Sequence, residues 1–309
     1  MTISSARGPR PLTGSLPALV TPLTDPTTLD PAGITALVTA AIEDGASGVV
    51  VAGTTGEGTL LSPEQRAALT AIARQALDDD AAGPRPGPVL VAGASGPNLA
   101  ALHADVARLA AAGADLVLVL PPHLQPLSPD EVADLHLAVA DRAEVDLLAY
   151  HIPQFAGSPL TPEAVRRVAT HERIVGMKDS SPDAERRAAF VAATREVAGF
   201  AVLTGHAPTL ARALADGATG SILAVSNLRL RQAVALTAAA VEGDTEKVAA
   251  LQEHLTRLVR AVGEVGAAVP AVLKAALQLD GRIAERWCTP PLASVPGNRL
   301  DAVRTAMLR

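Results

Sequence analysis

The sequence predicts an α/β protein, a (β/α)8 (TIM) barrel with a small C-terminal helical region. Three observations carry this expectation. Eight short apolar runs recur along the chain, at residues 16–20, 49–52, 89–92, 116–120, 147–150, 174–178, 201–204 and 221–224. Each is followed by a turn and then by a segment of helical period. The runs are apolar on both faces, as parallel strands covered by helices on both sides must be, and eight such units suggest closure. After about residue 228 the strand signals stop and Ala-, Leu- and Val-rich helical segments continue. The expected division is residues 1–228 as the barrel core through its eighth strand, and 229–309 as the last barrel helix and the C-terminal helical region.

The intervening segments justify themselves in order. Ile34, Leu37, Val38, Ala41 and Ile42 share one helical face, and Gly45 can end that helix. Ser62-Pro63-Glu64-Gln65 and Ser128-Pro129-Asp130-Glu131 open helices as capping boxes with proline at the first position. Thr161-Pro162 and Ser181-Pro182 are similar starts. Residues 78–88, DDDAAGPRPGP, read as an exposed loop and not a linker, because the repeat resumes after them. Gly243, Gly263, Pro270 and the Pro290-Pro291 loop punctuate the C-terminal helices.

Composition narrows the function classes. Apolar residues make up 49% of the 309 residues but aromatics only 2%, so the core must be Ala, Val, Leu and Ile. A net charge of -6 without a basic patch disfavours nucleic acid as a partner. MTISSARGPRPLTG has no apolar signal region and no stretch suits a membrane span, so the expectation is a cytoplasmic protein with no membrane partner. The lone Cys288 provides neither a disulfide framework nor a metal cluster. His123, His151 and His206 fit no metal-ligand spacing, and no metal or cofactor is expected. His103 and His136 read as helix-surface histidines.

Barrel active sites form at the C-terminal ends of the strands. Those ends carry Thr21, Gly53-Thr54-Thr55-Gly56-Glu57, Gly93-Ala94-Ser95-Gly96, Pro121-Pro122-His123, Tyr150, Lys178 and Gly205-His206. Lys178 is one of three lysines; Lys247 and Lys274 fall in C-terminal helical segments. A lysine stem rooted in a desolvated barrel favours the neutral amine that carbonyl attack needs. Tyr150, the only tyrosine, ends the preceding strand, where a phenol can move protons to and from a carbinolamine. Adjacent threonines with their backbone N–H groups make a carboxylate cradle. The bland alternatives are a surface Lys178-Asp179 ion pair and a mere tight turn at residues 53–57.

Gly53-Thr54-Thr55-Gly56-Glu57, Tyr150-His151-Ile152-Pro153, Gly176-Met177-Lys178-Asp179-Ser180 and Gly217-Ala218-Thr219-Gly220-Ser221-Ile222 occur in this order. Together they resemble the signatures of the dihydrodipicolinate synthase/N-acetylneuraminate lyase superfamily of pyruvate-dependent class I aldolases, clearly over residues 14–230. The resemblance implies Lys178 as the Schiff-base lysine, Tyr150 as the proton relay touching the 2-oxo acid, Thr54 as the relay threonine and Thr55, within the Gly53 motif, as the carboxylate holder. It also implies Gly205 and Ile222 near lysine and substrate, and a homotetramer built as a dimer of dimers.

Three positions depart from the pattern. Dihydrodipicolinate synthases carry an arginine for the second substrate's carboxylate where this chain has Phe155, and phenylalanine cannot replace a guanidinium fork. Their neighbouring-subunit tyrosine corresponds to His123. Sialic acid lyases place acidic residues where this chain reads Gly205-His206-Ala207-Pro208. The resulting expectation is a carbon–carbon lyase acting on pyruvate and an aldehyde, such as a 2-keto-3-deoxy sugar acid or 4-hydroxy-2-oxo acid aldolase. Alternatives are a dehydratase of a 2-keto-3-deoxy acid using the same imine, a 4-hydroxy-tetrahydrodipicolinate synthase, which Phe155 disfavours, and a catalytically silent 2-oxo acid binding protein.

Overall fold

A computed structural model describes residues 12–79, 87–121 and 125–308. Most of the expected 78–88 loop, and His123, lie outside the described residues. Strands β1 (Gly14–Pro17), β4 (Gly48–Val51), β5 (Val89–Ala94), β6 (Leu116–Val119), β7 (Asp146–His151), β8 (Ile174–Asp179), β9 (Ala201–Thr204) and β10 (Gly220–Leu223) form one eight-stranded sheet. Its order is β1-β10-β9-β8-β7-β6-β5-β4, and each neighbouring pair is parallel. The ends meet through a parallel bridge between Ala18 and Val50, where Leu19 N–H donates to the Val50 carbonyl at 2.9 Å. The sheet is therefore the expected (β/α)8 barrel. A hairpin of β2 (Leu23–Asp25) and β3 (Thr28–Leu29) was not foreseen; the Asp25 carboxylate accepts from Thr27 N–H at 2.8 Å and closes its turn.

Side-chain alternation along each strand creates two hydrophobic layers. Leu16, Val50, Val91, Leu118, Leu148, Leu203 and Ile222 point into the barrel with Tyr150. Their strand neighbours Val49, Val51, Leu90, Val117, Leu147, Met177 and Val202 face outward onto the helices, against Leu37, Leu69, Leu102, Val132, Val165 and Phe190. Small and medium aliphatics fill both layers, as the shortage of aromatics required.

Helix starts follow the expected capping chemistry with one exception. Ser62 and Gln65 cap reciprocally, with Ser62 N–H donating to Gln65 Oε1 at 2.8 Å and Gln65 N–H to Ser62 Oγ at 3.2 Å. Ser128 and Glu131 form the second capping box, and Thr161 caps the helix Pro162–Val168. Ser181-Pro182 is not a helix start: the cap of Ala184–Thr194 is Asp183, whose carboxylate accepts from Arg186 N–H at 2.9 Å. Ser181 instead turns its backbone N–H onto Asp179 at 3.0 Å. His136 is buried rather than on the surface, and half-buried His103 contacts the Ala138 carbonyl at 2.8 Å.

After β10, helices Ser226–Glu242, Thr245–Glu264, Val269–Leu279 and Leu300–Met307 complete the fold. None of the described helices is by itself long and apolar enough to cross a membrane. Asn227 ties this segment to the barrel closure. Its amide donates to the Ala18 and Ala224 carbonyls, both at 2.7 Å, and its Oδ1 accepts from Val20 N–H at 3.0 Å. Asn227→Ala would strand buried backbone groups at the seam and is expected to lower unfolding free energy by about 2–4 kcal/mol in a denaturant titration. A loss under about 0.5 kcal/mol, the range of ordinary surface substitutions, would mean the seam does not depend on Asn227.

Candidate active site

β7 and β8 bring Tyr150 and Lys178 into register as direct cross-strand partners. Both point inward at the C-terminal rim, where Lys178 is only 4% exposed and its Nζ lies 4.6 Å from the centroid of the Tyr150 ring. Among the described residues no carboxylate lies within ion-pair distance of Lys178. The Tyr150 hydroxyl is 3.4 Å from both Thr54 Oγ1 and Ser180 Oγ, so two hydroxyls flank the phenol. Ser180 was not among the residues the sequence singled out for chemistry, although it sits inside the Lys178-Asp179-Ser180 motif.

Gly205 lies at the end of the next strand. A Cβ there would stand 2.9 Å from Lys178 Cε and 2.0 Å from Ser180 Oγ, so any side chain would displace the amine stem. Its N–H donates to the Asp179 carbonyl at 2.6 Å. Ile222 is buried in the inner layer with Tyr150. Half-buried Thr54 and Thr55 ride on the loop after β4, which is bracketed by two non-glycine left-handed residues, Ala52 (φ 52°) and Glu57 (φ 59°). Buried Arg66 clamps this loop by donating to the Gly58 carbonyl at 2.9 Å, the Leu61 carbonyl at 2.6 Å and the Ser95 carbonyl at 3.1 Å, while pairing with Asp105 at 2.9 Å.

Asp179 is the counterpart of Lys178 on the opposite face. It is wholly buried between the strand and the helices, where it binds His151 Nδ1 at 2.8 Å and Arg187 Nε at 3.0 Å. The surface Lys178-Asp179 ion pair is therefore not what the structure contains. Burial works to raise the Asp179 pKa, but hydrogen bonds from His151 and Ser181 and the charges of His151 and Arg187 outweigh it, and the carboxyl is held below its ordinary range. Behind Tyr150, His136 donates from Nδ1 to the Val132 carbonyl at 2.7 Å and accepts from Tyr150 N–H at Nε2, 3.4 Å away. Burial lowers its pKa, consistent with that neutral tautomer.

The remaining candidates are dispersed. His206 is half-buried with Nδ1 3.0 Å from Thr209 Oγ1, and Arg187 donates to that same oxygen at 2.8 Å. Burial, then the Arg187 charge, push the His206 pKa down and keep the imidazole neutral. Phe155, on the short helix Pro153–Ala156, is 67% exposed. Gln154 is anchored by donating to the Ser180 carbonyl at 2.9 Å. No group of three or more His, Cys, Asp or Glu side chains among the described residues could hold a metal.

An eight-stranded barrel whose rim gathers a buried amine, a phenol and paired threonines is the architecture of a Schiff-base carbon–carbon lyase, a class I aldolase. This chain belongs to the dihydrodipicolinate synthetase family, whose model matches residues 11–308. It is 35% identical over 292 residues to a 4-hydroxy-tetrahydrodipicolinate synthase of Kineococcus radiotolerans, covering 94% of this chain and 91% of the relative. A second relative of that name, from Exiguobacterium sp., is 31% identical over 87% of this chain and 88% of its own. Among solved structures, dihydrodipicolinate synthase from Thermotoga maritima superposes with a TM-score of 0.89 at 25% identity, covering 97% and 98% of the two chains. YagE, a prophage protein of the same family from E. coli K12 in complex with pyruvate, gives 0.87 at 26% identity, covering 96% and 98%.

The Asp179 cluster couples stability to pH. Because the folded carboxyl titrates below the ordinary aspartate range, the unfolded chain takes up its proton first as pH falls. The cluster's stabilisation is therefore present above the unfolded aspartate's pKa and is lost as pH falls through the depressed folded pKa. Asp179→Asn should destabilise the protein by about 3–5 kcal/mol at neutral pH, since it leaves Arg187 buried without its partner. The acid limb of a stability–pH curve should also flatten. An unchanged acid limb would show that Asp179 is not the group responsible.

Proposed function

We propose that this enzyme forms a Schiff base between Lys178 and pyruvate and makes or breaks the carbon–carbon bond beside it with a neutral hydroxyaldehyde as partner. The observation that carries the reading is the buried Lys178 amine against the Tyr150 ring, with the Tyr150 hydroxyl between Thr54 and Ser180. The pyruvate complex of YagE supports pyruvate as the 2-oxo acid.

In the cleavage direction the Lys178 nitrogen attacks the C2 carbonyl carbon of the substrate. Tyr150 delivers a proton to the departing oxygen, which leaves as water, and the protonated imine remains. Removal of the proton from the substrate's C4 hydroxyl then breaks the C3–C4 bond. The aldehyde departs and the electron pair passes into the imine as an enamine. Protonation at C3 and hydrolysis release pyruvate and the free amine. Tyr150 suits the proton steps because Thr54 and Ser180 fix its hydroxyl, while Thr55 and the backbone beside Gly53 offer donors to the substrate carboxylate.

The second half of the site supports an uncharged partner. Phe155 contributes no charge, His206 is kept neutral by burial and Arg187, and the Gln154 amide is engaged with backbone. A second reading, 4-hydroxy-tetrahydrodipicolinate synthase, is favoured by the names of the curated relatives at 31–35% identity.

Borohydride added with pyruvate should leave a stable mass adduct, mapped by proteolysis to Lys178 and absent in Lys178→Ala. Tyr150→Phe should still bind pyruvate but turn over about 10²–10⁴-fold more slowly. An adduct that persists in Lys178→Ala would overturn the assignment. Phe155→Arg separates the two readings. With a neutral hydroxyaldehyde as the true partner, the wild type turns it over and the variant gains nothing with the aldehyde substrate of 4-hydroxy-tetrahydrodipicolinate synthases. Robust wild-type turnover of that latter aldehyde would instead establish the second reading.

A further inference from the structure

The chain's most buried lysine is not Lys178. Lys274, in the C-terminal helix Val269–Leu279, has no exposed side-chain surface, and its Nζ lies 2.5 Å from Oε1 of Glu57, which is equally enclosed at 1%. The second carboxylate oxygen accepts from Thr289 N–H at 2.5 Å, and Lys274 also donates to the Trp287 carbonyl at 2.7 Å. Glu57 ends the Gly53-Thr54-Thr55-Gly56-Glu57 turn in a left-handed conformation. Its N–H donates to the Thr54 carbonyl at 3.2 Å, and the Gly56 carbonyl accepts from Thr21 Oγ1 at 2.6 Å. The C-terminal region thus holds the loop that carries both threonines through one buried charge pair.

We propose that Glu57 and Lys274 are positioning residues for substrate carboxylate recognition, so that the C-terminal helices set the affinity of the barrel for a 2-oxo acid. The inference rests on the Schiff-base reading above. A buried ion pair is a poor source of net stability, because two desolvated charges give back most of what their attraction supplies, and apolar isosteres often serve as well. A directional pair does fix geometry: Glu57 must face Lys274 and Thr289 at once, which leaves its backbone one orientation. That orientation sets the Thr54 carbonyl, and through it the two threonines whose donors face the carboxylate. Without the pair, the left-handed Glu57 keeps only its backbone hydrogen bonds within the turn, its side chain no longer fixes the turn to the C-terminal helices, and the cradle samples other conformations before substrate arrives.

The test is the double variant Glu57→Gln/Lys274→Met, which removes both charges together and leaves none unpaired. Its folding is read by thermal melting. Borohydride trapping at Lys178 is then titrated with pyruvate and with pyruvamide, which lacks the carboxylate. Trapping at saturating pyruvate should persist, while the half-saturating pyruvate concentration rises at least tenfold and that for pyruvamide stays within about twofold. A folded variant with wild-type pyruvate saturation overturns the proposal. So does an equal loss for both ligands, which marks a purely structural pair.

If the double variant does not fold, hydrogen exchange on the wild-type protein decides. Pyruvate should slow exchange at the Thr289 amide several-fold, and no change there is equally fatal to the proposal. Failure of the Schiff-base reading has a different signature, because wild-type protein would then trap no 2-oxo acid at all.

Discussion

The two-residue period of strand β8 organises the site. Within Gly176-Met177-Lys178-Asp179, even positions face the barrel axis and odd positions face the helix layer. Lys178 is thereby placed among apolar side chains beside Tyr150, and Asp179 among His151, Arg187 and Ser181. Sequence neighbours of opposite charge are thus prevented from pairing by the pleat itself. The amine keeps no carboxylate partner among the described residues, and the carboxylate spends its charge bracing the strand end. Register propagates the arrangement: Tyr150 and His151 pair with Lys178 and Asp179 across β7 and β8, so a one-residue slip would exchange the inner chemistry for the outer scaffold.

The loop after β4 faces a different constraint. Two non-glycine residues in left-handed backbone cost about 1–2 kcal/mol each, and the turn they create brings Thr54 Oγ1 within 3.4 Å of the Tyr150 hydroxyl. Tight packing offsets that cost. A Cβ at Gly58 would fall 1.7 Å from the Ala52 carbonyl oxygen, Arg66 holds the far side of the loop through the Gly58 and Leu61 carbonyls and ties it to the Ser95 carbonyl after β5, and Glu57 is seized by Lys274 and Thr289. A turn this costly is retained where its shape serves a site.

Lys178 and Tyr150 were legible in the sequence because a residue at the end of a doubly apolar run has one place to go in a closed parallel barrel. The eight strands were legible for the same reason, and most caps followed from local side-chain chemistry. What escaped was long-range. Glu57 and Thr289 are 232 positions apart, and nothing local to Lys274 in its Ala- and Leu-rich helix says that it faces inward. His136 reads as a surface residue until its helix is laid on β7, where it meets the Tyr150 backbone. Ser181-Pro182 imitated a helix start, but Asp179 competes for the Ser181 backbone and moves the cap to Asp183.

The two halves of the site differ in how tightly the fold constrains them. Lys178, Tyr150, Gly205 and Ile222 sit on or directly after ladder strands, and altering any of them disturbs packing, register or the path of the amine stem. Phe155 sits on a four-residue helix with most of its surface in solvent, where exchange of one side chain for another costs the fold little, within about 0.5 kcal/mol. On the proposed reading, the fold therefore fixes the half of the site that holds Lys178 and leaves the half around Phe155 free to vary. At 35% identity, a shared family carries the chemistry of the lysine further than it carries the identity of the partner. The proposed neutral partner accordingly rests on the side chains at Phe155 and His206, where the fold leaves most freedom, and not on the names of the relatives.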